Sequence, residues 1–113
     1  MMPGLTLDAG ALIALERGDR RLGMIIRRNK DNGTHVTIPA TVLAQVVREP
    51  QRQVRIMRLV RHASADVVPL DAGDATNVGR LLATSRTADI IDAHVILCAR
   101  RAGQAIVTSK LNQ

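Results

Sequence analysis

Asp8 follows directly on the short run Leu5-Thr6-Leu7, and far along the chain Asp89 and Asp92 stand three residues apart in a second apolar stretch. A spacing of three puts two side chains on adjacent faces of a helix. Asp92 is set among Ile90, Ile91, Ala93, Val95, Ile96, Leu97 and Cys98, so the pattern predicts a carboxylate on a helix that is apolar on nearly every side, where it needs a partner. Two carboxylates about 4 Å apart repel by about 4 kcal/mol at an effective dielectric near 20, so a site joining Asp8 to Asp92 wants a cation between them. Hard oxygen ligands select Mg²⁺ or Mn²⁺ over zinc, and such an ion can activate water against a phosphodiester. An ion pair from Asp92 to an arginine explains the same residue equally well. Asp89 also has a purely local reading, since a carboxylate at the positive end of a helix dipole is worth about 0.3 to 1 kcal/mol.

These acids need elements to carry them. Leu5-Thr6-Leu7 reads as a strand, and Asp8-Ala9-Gly10 opens a helix over Ala11 to Glu16 that Gly18 stops. Asp19 can cap a helix from Arg20 to Lys30 with Leu22, Ile25 and Ile26 on one face, and His35 to Ile38 alternates as a second strand. From Thr41 to Glu49 the residues Val42, Leu43, Val46 and Val47 mark one helical face and Thr41, Gln45 and Glu49 the other. Pro50 breaks or kinks that helix, and a further one runs from Gln51 to His62. Asp66 to Leu70 is a third strand and Asp71 to Leu82 a helix with Ala75, Val78, Leu81 and Leu82 inward. Thr87 caps a last helix, Ala88 to Ala102, which Gly103 ends before the strand Gln104 to Val107. Strands joined by helical stretches of this length need crossovers, so the expected fold is α/β, with a parallel sheet covered on both faces. Ligands of such sheets bind beyond the carboxyl ends of the strands, which here means just after Leu7, Ile38, Leu70 and Val107.

At 113 residues the chain reads as a single domain, 1–113, and 46% hydrophobic with 23% charged residues is enough to build a core. It has no Phe, Trp or Tyr, which removes base stacking on aromatic rings, the common device of sequence-tolerant single-strand binders. The formal net charge is +6, and Lys30 and Lys110 are the only basic residues that are not Arg. Guanidinium forks suit phosphate or carboxylate, so an acidic protein, a nucleic acid or both are the expected partners. Arg48, Arg52, Arg55, Arg58 and Arg61 recur in steps of three and four and form a broad basic face, either solvated or holding RNA backbone. Cys98 is alone, which excludes an internal disulfide framework and favours a reducing compartment. The seven-residue apolar run Ala9 to Leu15 is too short for a bilayer, and Met1-Met2-Pro3-Gly4 carries no basic leader, so a cytoplasmic protein without membrane attachment is expected. His35, His62 and His94 lack metal-finger spacing and read as surface or core histidines.

Four blocks taken together resemble the PIN domain, and more narrowly the VapC toxins of bacterial VapBC toxin–antitoxin pairs: Leu7 to Glu16, Pro39 to Val46, Thr87 to His94, and Ile106 to Ser109. They fall in that family's order and spread over nearly the whole chain. The resemblance implies a three-layer sandwich around a mostly parallel sheet of about four strands. It implies a Mg²⁺- or Mn²⁺-dependent endoribonuclease, often a homodimer, held in check by an antitoxin whose C-terminal segment occupies the active-site groove. Asp8 and Asp92 take the metal-binding catalytic positions, with Asp89 as a further acid, and Thr108 and Ser109 match the hydroxyl positions after the last of these strands. Those hydroxyls can bond a phosphate, a water or their own loop.

Two positions depart from the family pattern. Gln45 stands where the family has Glu, and Lys110 where it has Asp. The acidic cluster therefore falls to two or three carboxylates, and metal affinity falls with it. Glu49, one turn beyond Gln45, could rescue the cluster if Pro50 tilts the helix end, and Lys110 could meet a phosphate directly beside Arg48, Arg52 and Arg55. The competing expectation is a catalytically impaired scaffold that binds RNA or an antitoxin without efficient cleavage.

Overall fold

A computed structural model describes residues 4–86 and 88–109. Four strands, β1 (Leu5–Leu7), β2 (Val36–Pro39), β3 (Ala65–Val68) and β4 (Ala105–Val107), alternate with six helices, α1 (Ala9–Glu16), α2 (Arg20–Asp31), α3 (Ala40–Val46), α4 (Val54–Val60), α5 (Ala72–Ser85) and α6 (Ile90–Ala102). The strands form one sheet in the order β3-β2-β1-β4, and every neighbouring pair is parallel. Leu5 faces Val36 on one side and Ala105 on the other, which sets the register of the sheet centre. From β1 to β3 the chain steps one way across the sheet and then returns past β1 to lay down β4. With right-handed crossovers, that reversal puts α5 and α6 on the face opposite α1 to α4. Burial agrees: all four residues of β2 are buried, whereas β3 and β4, at the edges, are partly bare.

The core gathers around α1, whose Ala11 and Leu12 are fully buried against Leu7, Val36, Ile38 and Val42, with Leu22 and Ile26 from α2 and Ile56 and Leu59 from α4 closing over it. Aliphatic side chains fill it without a Phe, Tyr or Trp, as the composition requires. Local chemistry sets the helix starts. Asp8, Asp19, Asp71 and Asp89 each accept a hydrogen bond from a backbone N–H three residues on, the standard use of Asp at an N-cap. For α6 the cap is thus Asp89; Thr87, the cap expected from sequence, lies outside the described residues.

The largest departure from the expected elements falls around Pro50. Helix α3 ends at Val46, because Val47 turns to extended backbone with ψ 126°, and the residue before a proline resists helical geometry as well. The next helix begins only at Val54. Gln53 closes the connection: its Oε1 accepts from the amides of Arg48 (2.9 Å) and Glu49 (3.1 Å), and its Nε2 donates to the Val46 carbonyl at 2.8 Å. The expected arginine face therefore breaks up, with Arg55 and Arg58 on α4 and Arg48 and Arg52 in the connection. In α5, Val78 is buried and Leu81 and Leu82 are half-buried, as expected, but Ala75 is exposed and Asp74 is buried instead, where it receives Arg101 of α6 at 2.5 Å.

Candidate active site

The strand order reverses beside β1, so the open crevice at the carboxyl edge lies between the ends of β1 and β4. Asp8 leaves β1 there with its amide bonded to the Val107 carbonyl at 3.2 Å, and its carboxylate Oδ1 accepts from the Ala11 amide at 2.9 Å. That bond consumes part of the acceptor capacity of one oxygen and fixes the rotamer. Thr108 and Ser109 leave β4 beside it, both half-buried. Gly10 shows how closely these groups converge. A Cβ added to Gly10 would lie 2.8 Å from Ser109 Oγ, 3.4 Å from Asp8 Oδ1 and 3.6 Å from Thr108 Oγ1. Three oxygen-bearing side chains from two strand ends therefore converge around a position where glycine leaves the space open. Sequence reasoning gave Gly10 no role beyond opening α1, yet a glycine two residues past a strand-end acid is the signal that would have exposed it.

Asp89 and Asp92 occupy the start of α6, and both are exposed. Asp89 Oδ1 accepts from the Asp92 amide at 2.9 Å, the capping role. The expectation of a buried Asp92 is overturned. The apolar residues around it do pack, with Ala93, His94, Val95, Cys98 and Ala99 buried, but Asp92 sits in the first turn. Side chains there lean back toward the helix N-terminus, beyond the end of the core layer. Asp92 thus presents its carboxylate at the surface without the desolvation that would force a cation upon it.

Gln45 is exposed near the end of α3. Glu49 does not share its helical face, since α3 has already ended, and it pairs instead with Arg52 at 3.3 Å. Arg48 folds back on the end of α3, donating to the Ala44 and Val47 carbonyls at 3.0 and 2.8 Å. Lys110 lies outside the described residues. Among the described residues no group of three His, Cys, Asp or Glu side chains is placed to hold a metal ion. The donor set is thus short of the carboxylates a hard divalent ion prefers, and Gln45 supplies no charge in their place.

One buried polar group of α6 is a core histidine, one of the two readings that the sequence left open for it. His94 on α6 is fully buried, with Nδ1 2.7 Å from the Thr41 hydroxyl of α3 and Nε2 without a hydrogen-bond partner among the described residues. Burial pushes its pKa below the ordinary value, against the Asp74 carboxylate and the Pro69 carbonyl, which favour the proton. The contact ties the helix carrying Asp92 to the helix carrying Gln45.

The family description "PIN domain" matches residues 5–110 of this sequence. No curated protein sequence matches it significantly. Among solved structures the chain is similar to VapC20 of Mycobacterium tuberculosis, described as a sarcin-ricin loop cleaving toxin, with a TM-score of 0.65 at 18% identity over 90% of this chain and 87% of that one. At that identity the likeness is one of fold.

Proposed function

Because the chain belongs to the PIN-domain family, we propose that it engages RNA at the carboxyl edge of its sheet as a toxin-type PIN domain, and that phosphodiester hydrolysis there is slow. The convergence of Asp8, Thr108 and Ser109 over Gly10 carries this reading. A half-buried carboxylate fixed by the start of α1 stands next to two hydroxyls that can donate to phosphate oxygens. Asp92 and Asp89 add negative charge from α6, and PIN nucleases generally work with a divalent ion. The thin acid set, with Gln45 in the place of a glutamate, supports weak cleavage over efficient cleavage. An antitoxin that covers this edge, and a cytoplasmic site of action, belong to the same reading and rest on the family alone.

The second reading is the full Mg²⁺- or Mn²⁺-dependent endoribonuclease, which the family match over residues 5–110 favours. Incubating the purified protein with a mixed structured RNA and Mn²⁺ or Mg²⁺, beside EDTA and a D8N/D92N control, separates the two. Retention of RNA with slow, EDTA-sensitive cleavage that the double substitution abolishes supports the proposal. Efficient cleavage supports the second reading, and cleavage unchanged in D8N/D92N sinks the site under either. Restoring charge with Q45E should raise cleavage if the acid set is what limits it, whereas no gain would mean that the edge is limited elsewhere.

A further inference from the structure

Helices α2 and α4 face one another across two adjoining hollows of about 450 and 260 Å³, which share Leu15, Gly23, Arg27 and Arg55. Their walls carry five cations: Arg20, Arg27 and Lys30 from α2, Arg55 and Arg58 from α4. None of the five is ion-paired among the described residues, whereas Arg52 and Arg101 elsewhere pair with Glu49 and Asp74. Asp19, the acid at the groove's end, already accepts from the Leu22 amide at the start of α2. Five like charges facing each other across a groove repel, and a counter-anion of matching length relieves them.

We propose that this groove binds the sugar-phosphate backbone of RNA, as a site separate from the Asp8 edge; the proposal rests on RNA being the substrate. The groove's floor favours RNA over a protein helix. Ile26 and Leu59 are already 96% and 98% covered, leaving Met24 as the widely open apolar side chain on the lining, whereas a docked amphipathic helix needs apolar surface to bury. Gly23 leaves the α2 wall low, since a Cβ there would touch nothing within 4 Å. Arg55 is pre-positioned, its guanidinium donating to the Glu16 carbonyl at 3.2 Å beside Gly18, which takes the positive φ of 82°. With no Phe, Tyr or Trp in the chain, no base stacks on such a ring there, and guanidinium contacts to phosphate carry no sequence information. Arg55 keeps the role the sequence suggested, and Arg20, Arg27, Lys30 and Arg58 replace Arg48 and Arg52 beside it.

The test measures binding of a fluorescent 12-nucleotide oligouridylate across a salt series without divalent ion, so that cleavage plays no part. R20Q/R27Q/R58Q should weaken binding at least about tenfold and reduce the slope of log K against log salt by about two, from about 0.7 per phosphate contact on a single strand. R80Q/R86Q/R100Q, which removes equal charge from α5 and α6, should retain affinity within about threefold, and R20K/R27K/R58K should retain most of it. Equal losses in the two glutamine triples would mean bulk charge alone and would overturn the groove, as would no loss in either. Displacement of the oligonucleotide by polyglutamate at lower charge concentration than by polyuridylate would assign the groove to an acidic protein and overturn it too. Cleavage without groove binding leaves the functional reading standing and the groove refuted, while groove binding without cleavage under any ion does the reverse for hydrolysis.

Discussion

Gly10 and His94 show how much one residue decides here. Alanine at position 10 would gain about 0.5 to 1 kcal/mol of helix propensity, but its Cβ would push Ser109 Oγ from a 2.8 Å approach. G10A is therefore expected to melt within a few degrees of the parent while losing about tenfold or more of its RNA cleavage, since small displacements at a reacting centre carry such costs; unchanged cleavage would show that Ser109 has no part in it. His94 makes a prediction with a sign. Burial lowers its pKa from 6.5, so the unfolded chain binds the proton more readily, and stability is full above about pH 6.5 and falls as the pH drops from there toward the lowered value. Melting temperatures from pH 7.5 to 5 should decline more steeply in the parent than in H94Q, and parallel profiles would remove His94 from the account.

At the scale of elements the segment from Val47 to Gln53 is held by side-chain chemistry. One half-buried amide, Gln53, satisfies two backbone donors and one carbonyl between α3 and α4. Removing it in Q53A exposes those groups to water, and the loss should be about 1 to 2 kcal/mol, read as a lower urea midpoint with an unchanged slope. The same segment explains why the arginine pattern misled: a periodicity of three and four implies a face only if the helix is continuous, and Pro50 with extended Val47 interrupts it. The N-cap of α2, by contrast, was legible, since Asp19 needs nothing beyond its own helix to act as a cap, whereas that of α6 falls on Asp89 and not on the expected Thr87.

For the whole molecule, a core without Phe, Tyr or Trp puts the weight of stability on tightly enclosed aliphatics around α1. Leu12 is fully buried at its centre, and L12A should cost about 2 to 5 kcal/mol, a large share of the roughly 5 to 15 kcal/mol available to a domain; calorimetry on the variant checks it. The parallel order β3-β2-β1-β4 then assembles the candidate site at this scale. Reversal beside β1 brings the ends of the first and last strands together, joining Asp8 to Thr108 and Ser109 across about a hundred residues of chain.

The sequence by itself determined the α/β class, the parallel sheet, the strand-end position of Asp8 and the absence of base stacking, because alternation, crossover length, capping and composition are local or additive properties. Only the tertiary structure decided that Asp92 is exposed, that Glu49 is spent on Arg52, that Gly10 is the close approach at the site, and that the unpaired cations face each other between α2 and α4. These depend on where one element ends against another, and burial and charge pairing are properties of that meeting in space, set by packing and not by spacing along the chain.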